Sequence, residues 1–320
     1  MKKRTFLAII LTFIFLIFII IDDLLLYTNL TFDLLKMNNS LATISSDFYS
    51  NPTNNITYEN VIYKTRDDLS LTLDIYGPTK TSNSPSPVII YVFGDGWTSG
   101  TKSIPSEIMP VIDTLRDSGF TIISTSYELM CDDIIFDEQV SDIKDTIRWI
   151  HKNSEKYNFN TNEIGIISPS AGAQLSMLAA FSDNASFVGD SKLSSYPSTI
   201  KYIVDLFGPT ALDKVNLSAG PVDLVSKLDT NKILLLSNEY SPINYLNNNL
   251  PNMLIIHSIS DEIVPYDTSV KLYEEALSLG NDFDFFTLKE SNHYLENLST
   301  NEAFSLYLKI VNYILSQTSI

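Results

Sequence analysis

Cysteine and histidine are scarce. The 320-residue chain holds one cysteine, Cys131, and three histidines, His151, His257 and His293. A lone cysteine excludes an internal disulfide framework and any multi-cysteine metal site. Three scattered histidines leave little material for a histidine-rich metal centre. A cysteine- or histidine-rich metal centre is therefore not expected. Basic charge is also short, with 21 Lys+Arg against 38 Asp+Glu and a net charge of -17. A nucleic-acid partner calls for a basic footprint, so that class is disfavoured. What the chain does have is apolar material, 44% hydrophobic and 11% aromatic residues. That argues against disorder and suffices for one large domain.

The longest apolar run is at the start. After Lys2, Lys3 and Arg4, the 16 residues Phe6 to Ile21 contain one polar side chain, Thr12. As a helix they would reach ~25 Å at 1.5 Å per residue, the short end of a membrane span. The run ends Ile19-Ile20-Ile21-Asp22-Asp23, a poor signal-peptidase site because small residues are missing. No cysteine follows for a lipoprotein anchor. A cleaved signal peptide and a buried core helix are the alternatives. The preferred expectation is an uncleaved signal-anchor over residues 1–27, with the basic flank inside and the domain outside the cytoplasm. Residues 28–56 are rich in Asn, Ser and Thr and read as a polar stalk. The folded domain is expected over 57–320.

Within it, short apolar runs alternate with helical patterns. Leu71–Tyr76, Val88–Phe93, Phe120–Ser124, Ile164–Ile167, Ile200–Phe207, Met253–Ile259 and Phe283–Leu288 read as strands, most of them apolar enough to be buried on both faces. Val140, Ile143, Ile147 and Ile150 fall on one helix face. Leu175–Phe181, Val270–Ser278 and Ala303–Leu315 are further helical stretches. The alternation predicts an α/β domain with a mainly parallel sheet covered on both sides. Between Pro209 and Pro251 the rhythm breaks. This stretch is either a long crossover with small helices or a cap over a site.

Three chemistry-bearing residues fall at strand ends. The Ile164 strand runs into Ser168-Pro169-Ser170-Ala171-Gly172 and then a helix, the pattern of a nucleophile elbow. Small neighbours permit the tight turn that holds the Ser170 hydroxyl out. The turn also puts the Ala171 N–H at a helix N-terminus, ready for an oxyanion. Asp261 follows the Met253 strand, and His293 follows the Phe283 strand. The order Ser170, Asp261, His293 is the order such hydrolases use.

With these residues the chain resembles the α/β-hydrolases of the esterase and lipase group, which includes acetyl esterases, hormone-sensitive-lipase-like, feruloyl-esterase-like and kynurenine-formamidase-like enzymes. The resemblance runs from about Val61 to the C-terminus. Tyr91-Val92-Phe93-Gly94-Asp95-Gly96-Trp97 is similar to the family's strand followed by His-Gly-Gly-Gly-Trp. Asp142 sits on the helix before the elbow strand. Phe207-Gly208-Pro209-Thr210 resembles Tyr-Gly-Pro-Thr, and His257 through Pro265 resembles His-Gly-x-x-Asp-x-x-Val-Pro.

The resemblance implies cleavage of a carboxylic ester, small or polymer-linked, with Ser170 as nucleophile, His293 as base and Asp261 as its orienting acid. It implies an oxyanion hole from the N–H groups of Ala171, Gly94 and Asp95, and a substrate pocket lined by Trp97. Three positions depart from the pattern. Phe93 replaces a histidine and is expected to hold the loop by packing. Asp95 replaces a glycine, and its carboxylate is expected to point away from the hole or to be paired. Ser168 replaces a small elbow glycine. These departures keep a second reading open, a non-catalytic binding protein on the same fold. A peptidase or amidase is a third. Of the remaining residues, Cys131 is expected to be packed, His151 solvated, and His257 a brace for the acid loop. No pattern specifies an oligomeric state.

Overall fold

The computed structural model describes residues 56–80, 82–131, 133, 135–219 and 230–319. The expected anchor, 1–27, and the stalk up to residue 55 lie outside the described residues. Among the described residues no helix is long and apolar enough to cross a membrane.

Eight strands form one sheet. They are β1 (Tyr58–Arg66), β2 (Leu69–Tyr76), β3 (Ser86–Val92), β4 (Thr121–Thr125), β5 (Phe159–Pro169), β6 (Tyr202–Leu206), β7 (Asn252–Ser258) and β8 (Phe283–Leu288), in spatial order β1-β2-β4-β3-β5-β6-β7-β8. β2 pairs antiparallel with β1 and with β4. Every pairing from β4 to β8 is parallel. The helices are α1 (Met109–Asp117), α2 (Phe136–Lys152), α3 (Ser154–Tyr157), α4 (Ser170–Phe181), α5 (Thr230–Tyr240), α6 (Tyr266–Ser278) and α7 (Thr300–Ser316). This is the α/β-hydrolase arrangement that the sequence predicts.

Period-two alternation decides which helix covers which face. On β7, Met253 and Ile255 pack with Met177 and Phe181 of α4 and with Leu272 and Ala276 of α6. Leu254 and Ile256 belong to the main core, which also holds Leu306, Ile310 and Ile314 of α7. Every residue of β3 and β4 is buried, so their continuous apolar runs follow from cover on both faces.

β1 and α1 were not among the expected elements. β1 is an edge strand with only Tyr63 and Lys64 buried, so its apolar signal is weak. Charge holds it instead. Lys64 Nζ lies 2.7 Å from both Asp142 and Asp145 of α2. Arg66 pairs with Asp142 at 2.8 Å and also with Glu128, and Arg148 reaches Asp145 at 2.9 Å.

The stretch from Pro209 to Pro251 carries 3-10 turns at Leu212–Lys214, Leu217–Ala219 and Pro242–Tyr245 besides α5. It is tied down at both ends. Gln174 Nε2 of α4 donates to Tyr240 O at 2.8 Å, and Leu212 N donates to Ser241 Oγ at 2.8 Å. Asn216 N donates to Ile263 O at 2.8 Å, so this segment reaches the loop that follows β7.

Candidate active site

The parallel sheet delivers the site at the carboxyl ends of β3, β5, β7 and β8. β5 ends at Pro169, and Ser170 opens α4 with φ +49°. Left-handed backbone is costly for a side chain other than glycine, and the packing around the turn imposes it here. A Cβ at Gly172 would lie 2.3 Å from Phe93 O and 2.5 Å from Val92 O. Only a glycine lets the first turn of α4 seat against the end of β3. Gly94 is confined in the same way, since a Cβ there would lie 2.8 Å from Pro169 O and 3.2 Å from Ser170 Cβ. The backbone of the loop after β3 therefore lies directly against the elbow. The Ala171 N–H lies in the first turn of α4, where amides lack an intrahelical acceptor.

Ser170 Oγ is 2.8 Å from His293 Nε2, and His293 Nδ1 is 2.7 Å from Asp261 Oδ2. Asp261 Oδ1 accepts the amides of Ile263 at 2.9 Å and Val264 at 2.8 Å. A carboxylate accepts, so Nδ1 carries the proton and Nε2 is left to take the Ser170 hydroxyl proton. Burial raises the Asp261 pKa. Hydrogen bonds from His257 and His293, the charge of His293 and the Val264 amide outweigh it and hold the carboxyl well below its usual range. Asp261 therefore stays an anion beside an imidazole that must acquire a proton. The site thus brings together Ser170, Asp261, His293, Gly94 and Ala171.

Asp95 and Trp97 sit differently. Asp95 has φ +79° and is an exposed residue. Trp97 is 2% exposed, and its Nε1 donates to Gln174 Oε1 at 3.0 Å while its ring meets Phe136 edge-on. Its side chain packs beneath the loop, not along an open pocket wall. Phe93 stacks on Tyr127 with ring centroids 4.3 Å apart. Sequence reasoning missed Tyr127, Gln139 and Gln174. Tyr127 Oη lies 3.1 Å from both Phe93 O and Gly94 O, and Gln139 Nε2 donates to Trp97 O at 3.0 Å. All three hold the same loop, and none sits in a local pattern that announces it.

Of the bystanders, His257 does brace the acid loop, accepted at Nε2 by Val264 O at 2.9 Å. Two expectations are corrected. Cys131 is exposed, not packed. His151 is half-buried, with a buried Nε2 that finds no partner, and desolvation lowers its pKa. Among the described residues, no group of three or more His, Cys, Asp and Glu could hold a metal ion.

The BD-FAE family model matches residues 73–276. The chain is 22% identical to Esterase LipC of Mycobacterium tuberculosis over 259 residues, covering 77% of this chain and 64% of that protein. It thus spans less than two thirds of that relative's length. A solved structure, a truncated carbohydrate esterase from gut microbiota, superposes with TM-score 0.68 at 24% identity, covering 84% of this chain and 99% of the other. Thermogutta terrifontis esterase 2 superposes with TM-score 0.69 at 20% identity, covering 84% and 95%. At those identities the structural likeness speaks for the fold.

Proposed function

Because the chain belongs to the BD-FAE family, we propose that it hydrolyses carboxylic esters of short acyl chains through an acyl-enzyme on Ser170. One observation carries this reading, the unbroken relay from Ser170 Oγ through both nitrogens of His293 to Asp261. Ser170 Oγ attacks the ester carbonyl carbon as its proton passes to His293 Nε2. The tetrahedral oxyanion is met by the N–H groups of Ala171, Gly94 and Asp95. The imidazolium, steadied by Asp261, gives its proton to the departing alcohol. Water repeats the sequence on the acyl-enzyme, with His293 first taking its proton and then returning it to Ser170. The esterase names of the relatives support the same reading. No step calls on a metal or an organic cofactor.

The finer placement rests on sequence. The apolar run Phe6–Ile21 behind three basic residues supports a signal-anchor over residues 1–27, with the hydrolase domain outside the cytoplasm. Protease added to intact cells should remove the domain and spare a membrane-embedded stub. Full protection of the domain would overturn this placement.

The catalytic reading is tested by fluorophosphonate labelling of the full chain beside its Ser170→Ala variant. The reagent needs an activated serine and a working oxyanion hole, but no knowledge of the substrate. Labelling that disappears in Ser170→Ala is the expected result. A folded parent that takes no label would overturn the proposal in favour of a binding protein.

A further inference from the structure

Asp261 serves two histidines with one oxygen. Oδ2 lies 2.7 Å from His293 Nδ1 and 3.1 Å from His257 Nε2. His257 is fully buried, and both its nitrogens are engaged. Nε2 is also 2.9 Å from Val264 O, and Nδ1 is 2.8 Å from Ser269 Oγ on α6. A carbonyl oxygen only accepts, so Nε2 carries the proton. Nδ1 is then the acceptor for the Ser269 hydroxyl. The Val264 carbonyl and the Asp261 carboxylate thus select the tautomer that aims an N–H at Asp261, and the hydroxyl of Ser269 donates to the nitrogen left bare.

We infer that His257 is a positioning residue of this site, which through the shared Oδ2 limits the negative charge that Asp261 presents to His293. The inference rests on the ester-cleaving reading above. Its physical basis is competition for one carboxylate. Each donor stabilises the anion and draws charge away from the other donors. Oδ1 is already taken by the Ile263 and Val264 amides. Without His257, the charge on Oδ2 falls on His293 alone. That favours the imidazolium, which cannot accept the Ser170 proton.

Other groups face His257. Asp205 of β6 is fully buried, Oδ1 accepting the Gly208 amide at 2.7 Å and Oδ2 having no partner. Burial pushes Asp205 up to about 7, offset in part by the Gly208 amide and by His257. Tyr266 of α6 presents its ring edge-on at 5.9 Å. None of these groups occupies the place of the Nε2 proton on Asp261.

The test is the pH dependence of kcat/KM for p-nitrophenyl acetate, using the full chain and a Ser170→Ala blank. His257→Leu removes the donor. Its acid limb should move up by roughly 0.5–1 pH unit, lowering kcat/KM at pH 6 by about three- to tenfold with a smaller change on the alkaline plateau. His257→Gln carries an N–H at the same reach and should restore the limb. Ser269→Ala, a small change that removes the donor to Nδ1 and so weakens the Nε2–H as a donor to Asp261, should shift the limb the same way by less. A merely structural role would lower kcat/KM alike at every pH, and an unmoved limb in both His257→Leu and Ser269→Ala overturns the inference. If His257→Leu does not fold, Ser269→Ala decides. Imidazole NMR follows the His293 titration without turnover, and three histidines keep that spectrum simple. An inactive parent would therefore sink the ester reading and still leave this coupling to be read.

Discussion

Tyr127 and Phe93 form one unit. Their rings stack 4.3 Å apart, 12° from parallel, and the Tyr127 hydroxyl lies 3.1 Å from the Phe93 and Gly94 carbonyl oxygens, its single proton shared between them. The loop after β3 is thus held from below by a side chain of β4's outgoing turn. The family pattern that the sequence resembles has a histidine where this chain has Phe93. Here the hydrogen bond that orients the loop comes from outside it, and Phe93 contributes the surface on which the donor rests.

Tyr127→Phe should therefore separate packing from orientation. The stack survives and the hydroxyl is lost. Leaving two buried carbonyls short of a donor should cost about 1–3 kcal/mol of stability, read as a fall in Tm. Loss of one oxyanion donor costs about 10²–10³ in kcat, so a loosened loop should cost up to about tenfold. An unchanged kcat would show that Tyr127 does not orient the hole.

Asp95, which stands where the family pattern resembled by the sequence has a glycine, is an exposed residue at φ +79°. Its field nevertheless reaches the site, since Asp95 is among the charges that raise the pKa of Tyr294, after desolvation. Tyr294 is the neighbour of His293. Asp95→Asn should raise kcat/KM for an anionic hemisuccinate ester relative to the neutral acetate ester of the same alcohol. The gain, about two- to fivefold at low ionic strength, should fade toward 1 M salt as screening removes it. A ratio that ignores both the substitution and the salt would exclude a charge-selecting role.

How much of this was legible in the chain can be argued residue by residue. The parallel strands β3 to β7 were readable because burial on both faces leaves a continuous apolar run. Ser170 and Asp261 were readable because each follows such a run, and His293 because it follows the apolar edge strand β8. β1 was not, because what holds it is a buried lysine, and a lysine in an exposed-looking strand carries no apolar period. Trp97 was read as lining a substrate pocket, and its burial instead depends on Gln174 and Phe136, which arrive from α4 and α2. Tyr127 and Gln139 act at contacts 34 and 42 residues away in the chain. Such pairings have no local signature.

Asp205 gives a pH dependence whose sign can be worked out. Burial raises its pKa in the folded chain to about 7, with the Gly208 amide and His257 opposing. An unfolded aspartate titrates near 3.9. Between those values the folded state binds more protons, so this group's contribution to stability is fully present below about 4 and is lost as pH rises toward 7. Asp205→Asn cannot ionise. The difference in unfolding free energy should move in the variant's favour by roughly 1 kcal/mol per pH unit over that window and level off above it. Parallel stability curves for the two proteins from pH 4 to 8 would show that Asp205 ionises normally in the fold.

The buried charges between β1 and α2 should be the least forgiving part of the domain outside the site. Lys64 is 5% exposed and stands 2.7 Å from each of two carboxylates that are themselves fully buried, Asp142 and Asp145. Asp142 also takes the Glu128 amide at 3.1 Å and Arg66 at 2.8 Å, and Asp145 takes Arg148 and the Asp190 amide, both within 2.9 Å. Burial raises the Asp142 pKa, and Lys64 is the largest influence pulling it back. Removing Lys64 therefore leaves two buried carboxylates to share two arginines. Lys64→Met preserves the volume and deletes the charge, and should cost about 3–5 kcal/mol, the range for breaking a buried pair from one side. The triple change of Lys64→Met with Asp142→Asn and Asp145→Asn removes partners along with the charge and should recover part of that loss. Denaturant unfolding of the two variants beside the parent measures both numbers. A single variant as stable as the parent would mean the arginines alone neutralise the cluster, and that β1 is held by its pairing to β2.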